Sequence, residues 1–143
     1  MARLAIIGTG YVGLTTGACL AHLGHDVLCA DVDVDKVERL KAGEVPIVEA
    51  GLPELVAEGL AADRLGFTVD VAGSVVDRQV VFLCLPPPHA PDGSVDLSYV
   101  EAAAASIGAS LAAGAVVVNK STVPVGTTAV VSGIIGRDDV SVA

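Results

Sequence analysis

A doubly wound α/β fold, with a parallel sheet covered by helices on both faces, is predicted by three features of the 143-residue sequence. Short apolar runs alternate with stretches of helical spacing along its whole length. The composition is 52% hydrophobic but holds only two tyrosines, two phenylalanines and no tryptophan. Such a core is built from Ala, Val, Leu and Ile, as in strands buried on both faces. The first apolar run ends in Gly8-Thr9-Gly10-Tyr11-Val12-Gly13, a glycine-rich turn that leads directly into a helix. One domain over residues 1–143 is expected, with three αβα layers, strand order 3-2-1-4-5-6 and a short sixth strand.

Leu4 to Ile7 is the first strand. Gly8 lets the chain turn tightly, Gly10 removes a Cβ where a ligand must approach the backbone, and Gly13 lets the helix lie close on the sheet. Val12, Cys19, Leu20 and Leu23 fall on one side of that helix, the expected apolar side, and Gly24 stops it. Val27 to Ala30 is the second strand, ending at Asp31. Strand, glycine turn, helix, strand and acid follow one another as a Rossmann dinucleotide site requires. The first-turn amides would face a pyrophosphate. The Asp31 carboxylate would accept from the adenosine ribose hydroxyls and repel a 2′-phosphate, which favours NAD over NADP. A βα turn without a ligand is the alternative, and the ordered strand, helix and acid weigh against it.

Asp33 is placed to cap a helix carrying Val34, Val37 and Leu40, with Gly43 as its stop. Lys36, in its first turn, either reaches the ribose beside Asp31 or is a solvated surface lysine; spacing leaves both open. Pro46 to Leu52 reads as an ordered loop and Pro53 opens a helix to about Leu60, an insertion ahead of the third strand at Phe67 to Val69. Asp70 caps a helical turn, and Gln79 to Leu85 is the fourth strand, at the sheet centre. The loop Pro86 to Gly93 follows. Four of its eight residues are prolines without an N–H, which excludes helix and central strand there. Its position at a strand's carboxyl end borders the site, and His89 within it reads as a surface histidine.

Asp96 or Ser98 caps the next helix, Ser98 and Glu101 form a capping-box pair, and Val100, Ala104, Ile107 and Leu111 form its buried stripe up to Gly114. Ala115 to Val118 is the fifth strand. A helix to about Ile135 and a strand from Val140 complete the chain. Ser121 and Thr122, just past the fifth strand, either hold a water, an amide or a carboxylate near a nicotinamide or cap the last helix.

The formal net charge of −9, with eight scattered Lys and Arg, argues against a nucleic-acid surface. The uncharged stretch Ala102 to Asn119 is too interrupted by Ser and Gly to span a membrane. The apolar run before Gly8 is too short for a signal peptide, so a cytoplasmic protein is expected. Cys19, Cys29 and Cys84 show no metal-ligand spacing, and three reduced, buried thiols are expected.

Gly8 to Leu14, Gly24-His25, Asp31-Val32-Asp33 with Lys36-Val37, Pro46-Ile47 with Glu49 and Gly51-Leu52, Asp92-Gly93 with Asp96 to Val100, and Lys120 to Thr127 stand in one order and spacing. Together these blocks resemble the UDP-glucose 6-dehydrogenase family over nearly the whole chain. The resemblance implies oxidation of UDP-glucose to UDP-glucuronate with two NAD, through a cysteine-bound thiohemiacetal and thioester. GDP-mannose and UDP-N-acetylmannosamine remain alternative substrates. It further implies that Gly8, Gly10, Tyr11, Val12 and Gly13 hold the pyrophosphate, Asp31 and Lys36 the ribose, and that Ser121 and Thr122 lie by the nicotinamide. Thr122 would also help position a catalytic water or its carboxylate partner. Pro87 stands where that family has the threonine of a Thr-Pro pair that contacts the cofactor.

The family's catalytic glutamate, cysteine and lysine and its sugar pocket match nothing in residues 1–143, and none of the three cysteines here fits the nucleophile. The chain is therefore expected to be the cofactor half of such an enzyme, a homodimer as the whole protein, and inactive alone. A free-standing NAD-binding or sensor module without catalysis is the reading from a different class. A hydroxyacid dehydrogenase of the phosphogluconate type shares the opening residues but leaves the Lys120 to Thr127 block without a purpose.

Overall fold

A computed structural model describes residues 1–85, 92, 97–120 and 125–143. Six strands, β1 (Arg3–Ile7), β2 (Asp26–Ala30), β3 (Leu65–Thr68), β4 (Val80–Leu83), β5 (Val116–Asn119) and β6 (Ser141–Val142), form one sheet in the order β3-β2-β1-β4-β5-β6. Every pairing is parallel. The predicted doubly wound order is therefore the observed one, with β1 and β4 adjacent where the winding reverses.

Alternation along β1 sends Leu4 and Ile6 to one face and Ala5 and Ile7 to the other. The first face is covered by α1 (Tyr11–His22), α2 (Val34–Lys41) and α3 (Leu52–Ala61), through Leu14, Ala18, Val37, Leu40, Leu52 and Val56. The second is covered by α4 (Val71–Ser74), α5 (Ser98–Ile107) and α6 (Thr127–Ile135), through Val75, Val100, Ala104, Ile107, Val131 and Ile135. The expected insertion before the third strand is α3, which lies beside α1 on the first face.

Local chemistry sets the element ends. Asp33 caps α2 by accepting from the Lys36 amide at 3.1 Å, and Asp70 caps α4 by accepting from the Gly73 amide at 3.0 Å. α2 closes at Gly43, where the Gly43 amide donates to Leu40 O and the Glu44 amide to Arg39 O, a Schellman pair that satisfies two of its last carbonyls.

Several expectations are corrected. The buried side of α1 is Gly13, Leu14, Gly17, Ala18 and Ala21, while Val12, Cys19 and Leu23 are exposed. Larger apolar residues suggested the opposite face, but α1 sits so close to the strands that only small side chains fit beneath most of it. A Cβ at Gly17 would stand 2.8 Å from Cys29 Sγ. Cys19 is consequently an exposed thiol, whereas Cys29 and Cys84 are buried as expected. Val34 is exposed, leaving Val37 and Leu40 as the anchors of α2. β3 begins two residues before the predicted start, at Leu65, and Val69 lies outside it.

Ser98 is the first helical residue of α5 and not its cap; Leu97 occupies the cap position, with the Glu101 amide donating to Leu97 O at 2.9 Å. The capping box is therefore not formed. α5 also ends at Ile107, short of Gly114, although Leu111 is buried in the same cluster. Arg137 holds the turn after the helix, donating from Nη1 to Gly108 O at 3.0 Å and Leu111 O at 2.7 Å. Among the described residues no helix is long and apolar enough to cross a membrane.

Candidate functional site

The carboxyl ends of β1, β2 and β4 meet at Gly8. Its amide donates to Ala30 O at 2.8 Å, and the Cys84 amide donates to Ile7 O at 2.8 Å, so the glycine turn is stitched between both neighbouring strands. Gly8 has φ +102°, and a Cβ there would lie 2.6 Å from Cys84 O, so both backbone conformation and space demand glycine. A Cβ at Gly13 would collide with Gly8 O; its absence lets the first turn of α1 rest on the turn that precedes it. Gly10 differs from both, because a Cβ there would meet nothing within 4 Å. It faces open space at the helix entrance.

That entrance carries unspent donors. The helical ladder of α1 starts with the Leu14 amide donating to Gly10 O at 2.9 Å, and no side chain caps the helix. The amides of Tyr11, Val12 and Gly13 have no acceptor four residues earlier. Together with the helix dipole they favour an anion at this end, and an open face over Gly10 gives a diphosphate access to them. The residues present thus fit the pyrophosphate of a dinucleotide. Tyr11 is exposed, and the neighbouring Glu49 carboxylate, as a hydrogen-bond acceptor and a negative charge, pushes its phenol above the ordinary pKa.

Asp31 stands at the tip of β2 beside this entrance, its side chain 14% exposed. Its Oδ2 accepts from the Thr9 amide at 3.0 Å and the Thr9 hydroxyl at 2.6 Å, and its Oδ1 accepts from the Asp33 amide at 3.1 Å. Lys36 Nζ lies 3.6 Å from Oδ2, so its charge stands beside Asp31. Burial pushes the Asp31 carboxyl up, but the Thr9 hydroxyl, the Asp33 and Thr9 amides and the Lys36 charge outweigh that and hold it below the usual carboxylate range. A fixed anion at this tip is the result.

Next to it opens a crevice of about 130 Å³, with Gly8 and Asp31 at one side and Val32, Val71, Tyr99 and Ala102 among its walls. Its lining is mainly apolar, and it is smaller than the roughly 300–1,000 Å³ of whole-ligand pockets. A space of this kind takes one flat ring and leaves the rest of a ligand in the open groove. Val71 and Tyr99 come from α4 and α5, on the face opposite α1, and spacing around the glycine motif carried no signal for them. Thr9 was missed for another reason: the motif leaves its position unspecified.

The structure therefore brings Gly8, Gly10, Tyr11, Val12, Gly13, Asp31 and Lys36 to one strand-end edge. Pro87, His89, Asp96, Ser121 and Thr122 lie outside the described residues. None of the cysteines has the setting of a nucleophile. Burial raises the Cys29 thiol and pushes Cys84 up to about 11 against the nearby Lys120 charge. Cys19 sits eight residues along α1 from Tyr11, about 12 Å of helical rise from the entrance.

Residues 2–142 match the model of the UDP-glucose/GDP-mannose dehydrogenase family, NAD binding domain. The chain is 49% identical over 133 residues to a UDP-glucose 6-dehydrogenase of Pseudomonas aeruginosa, covering 93% of this chain and 29% of that protein. Among solved structures, a UDP-glucose dehydrogenase from Pyrobaculum islandicum superposes with a TM-score of 0.89 at 40% identity, covering 99% of this chain and 34% of that one. A GDP-mannose dehydrogenase from Pseudomonas aeruginosa gives a TM-score of 0.90 at 34% identity, covering 98% and 35%. The chain thus spans about a third of the length of these relatives.

Proposed function

From the premise that this chain belongs to the UDP-glucose/GDP-mannose dehydrogenase family, as its NAD-binding domain, we propose that it is the cofactor half of a nucleotide-sugar dehydrogenase. The whole protein would convert UDP-glucose and two NAD⁺ to UDP-glucuronate, acting as a homodimer in the cytoplasm, and residues 1–143 alone would not turn over. UDP-glucose is preferred to GDP-mannose or UDP-N-acetylmannosamine because UDP-glucose 6-dehydrogenases reach 49–51% identity to this chain, against 39% for a GDP-mannose 6-dehydrogenase and 29% for a UDP-N-acetylmannosamine dehydrogenase.

In this reading NAD supplies the hydride acceptor and the chain supplies its placement. The first-turn amides of Tyr11, Val12 and Gly13 bind the diphosphate over Gly10, and Gly8 keeps the turn clear. Asp31 accepts from the adenosine ribose with Lys36 beside it, and the apolar crevice under Val71 and Tyr99 takes the adenine. Pro87, Ser121 and Thr122 are assigned to the nicotinamide end by resemblance, Thr122 with the added role of positioning a water or a carboxylate.

The observation that carries the proposal is the Asp31 carboxylate, held ionised at the tip of β2 beside uncapped helix amides. Calorimetric titration of the full chain tests it: NAD binds, and NADP binds more weakly because its 2′-phosphate meets the Asp31 charge. Asp31→Ala lowers NAD affinity by about 1.5–3 kcal/mol, the worth of a hydrogen bond to a charged group. Equal affinity for the two cofactors, or an Asp31→Ala variant that binds NAD as tightly as the parent, removes the assignment.

A further inference from the structure

Thr9 is the second residue of the glycine motif, and it is fully buried. Both its donors go to one atom, Asp31 Oδ2, across 22 residues of sequence. A carboxylate offers about four lone-pair positions, two on each oxygen. Thr9 fills both on Oδ2, with Lys36 Nζ 3.6 Å from the same oxygen, and the Asp33 amide takes one on Oδ1. One acceptor position is left, and it is on Oδ1.

We propose that Thr9 is a positioning residue for cofactor choice: its hydroxyl locks the rotation of the Asp31 carboxylate so that Oδ1 is the edge presented to the adenosine ribose, where it accepts one hydroxyl. The inference rests on Asp31 being the ribose acceptor. It adds that the acid is not free to turn both oxygens to the ligand or to swing away from a 2′-phosphate. An aliphatic side chain of the same shape would fill the space of Thr9 but leave Oδ2 with one donor fewer in a largely buried setting.

The lock also has an electrostatic side. The Thr9 hydroxyl leads the groups that lower the Asp31 carboxyl against burial, so its removal moves that pKa up. Among the described residues, the charged and titratable groups around the carboxylate are Lys36 from α2, Asp33 next to it, whose side chain is committed to the Lys36 amide, and Tyr99 of α5, which lines the same crevice. Binding that needs the anion is present above the Asp31 pKa and fades as pH falls through it. Loss of the hydroxyl shifts that fade to higher pH.

The test uses the full chain with Thr9→Val, Thr9→Ser and Asp31→Asn, titrated with NAD and NADP across a series of acid to neutral pH. Thr9→Val is expected to weaken NAD about tenfold, to narrow the NAD over NADP preference and to move the acid limb upward. Thr9→Ser, which keeps the hydroxyl, restores all three. A Thr9→Val chain with the parent's affinity, preference and acid limb overturns the proposal, as does a Thr9→Ser chain that behaves like Thr9→Val. If Asp31→Asn itself leaves NAD binding and selectivity unchanged, the underlying assignment of Asp31 is what has failed. Should Thr9→Val not fold, the parent decides by proton NMR. A slowly exchanging Thr9 hydroxyl signal at neutral pH that vanishes in Asp31→Ala, which has no acceptor there, supports the lock, and its absence from the parent refutes it.

Discussion

On one face of the sheet α1 meets the strands with Gly13, Leu14, Gly17, Ala18 and Ala21; on the other, α5 and α6 meet them with Val100, Ala103, Ala104, Ile107, Val131 and Ile135. The first arrangement brings backbone to backbone, so that α1 starts on top of the Gly8 turn and aims its amides over the strand ends. The second fills a wider gap with branched side chains and stabilises by apolar burial. The two faces should therefore fail in opposite ways, one to added atoms and the other to removed ones. The α1 face forgoes side-chain burial for closeness, which is what a helix needs if its first turn is to hold a ligand.

The largest effect should come from emptying the wider face. Ile107→Ala removes a fully buried side chain of α5 and should cost about 2–5 kcal/mol in denaturant unfolding, while the glycine turn, at the carboxyl ends of the strands, keeps its geometry and its NAD affinity after correction for unfolded protein. Adding one methyl to the close face comes next. Gly13→Ala drives a Cβ into Gly8 O and should cost about 1–3 kcal/mol, with NAD affinity falling further than stability because α1 must lift off the turn. A Gly13→Ala chain that melts and binds like the parent would mean α1 is not pinned there. The smallest effect has the reverse sign. Gly133, in the last turn of α6, is exposed, and a Cβ there meets nothing within 4 Å. Gly133→Ala should raise stability by about 0.5–1 kcal/mol through helix propensity alone.

The same contrast explains how the readings of the individual helices turned out. Where a stripe was made of large residues, as with Val100, Ala104 and Ile107, periodicity found the buried face. On α1 Val12 and Cys19 point outward, as does Leu23 just past its end, and apart from Leu14 the buried positions are Gly and Ala. A rule that equates size and hydrophobicity with burial inverts when a helix packs at backbone contact. The Ser98–Glu101 pair shows a related gap. Its spacing suits a capping box, but where a helix starts depends on how the incoming chain is delivered, and Leu97 takes the cap.

At the site, glycine spacing and the following acid were legible because each is a demand of the backbone itself: a positive φ at Gly8, a forbidden Cβ at Gly13, a carboxylate at the end of the neighbouring strand. The order of apolar runs was enough for a parallel sheet wound in both directions, since right-handed crossovers leave few other ways to bury such strands. What the order of residues could not supply was any relation between side chains far apart in the chain. That Thr9 fastens Asp31, that Lys36 leans on the same carboxylate, and that Val71 and Tyr99 arrive from the far face to wall the adjoining crevice were decided only when the sheet brought those segments together. Local backbone constraints are written residue by residue, whereas hydrogen bonds and cavities between distant segments exist only once packing sets the distances.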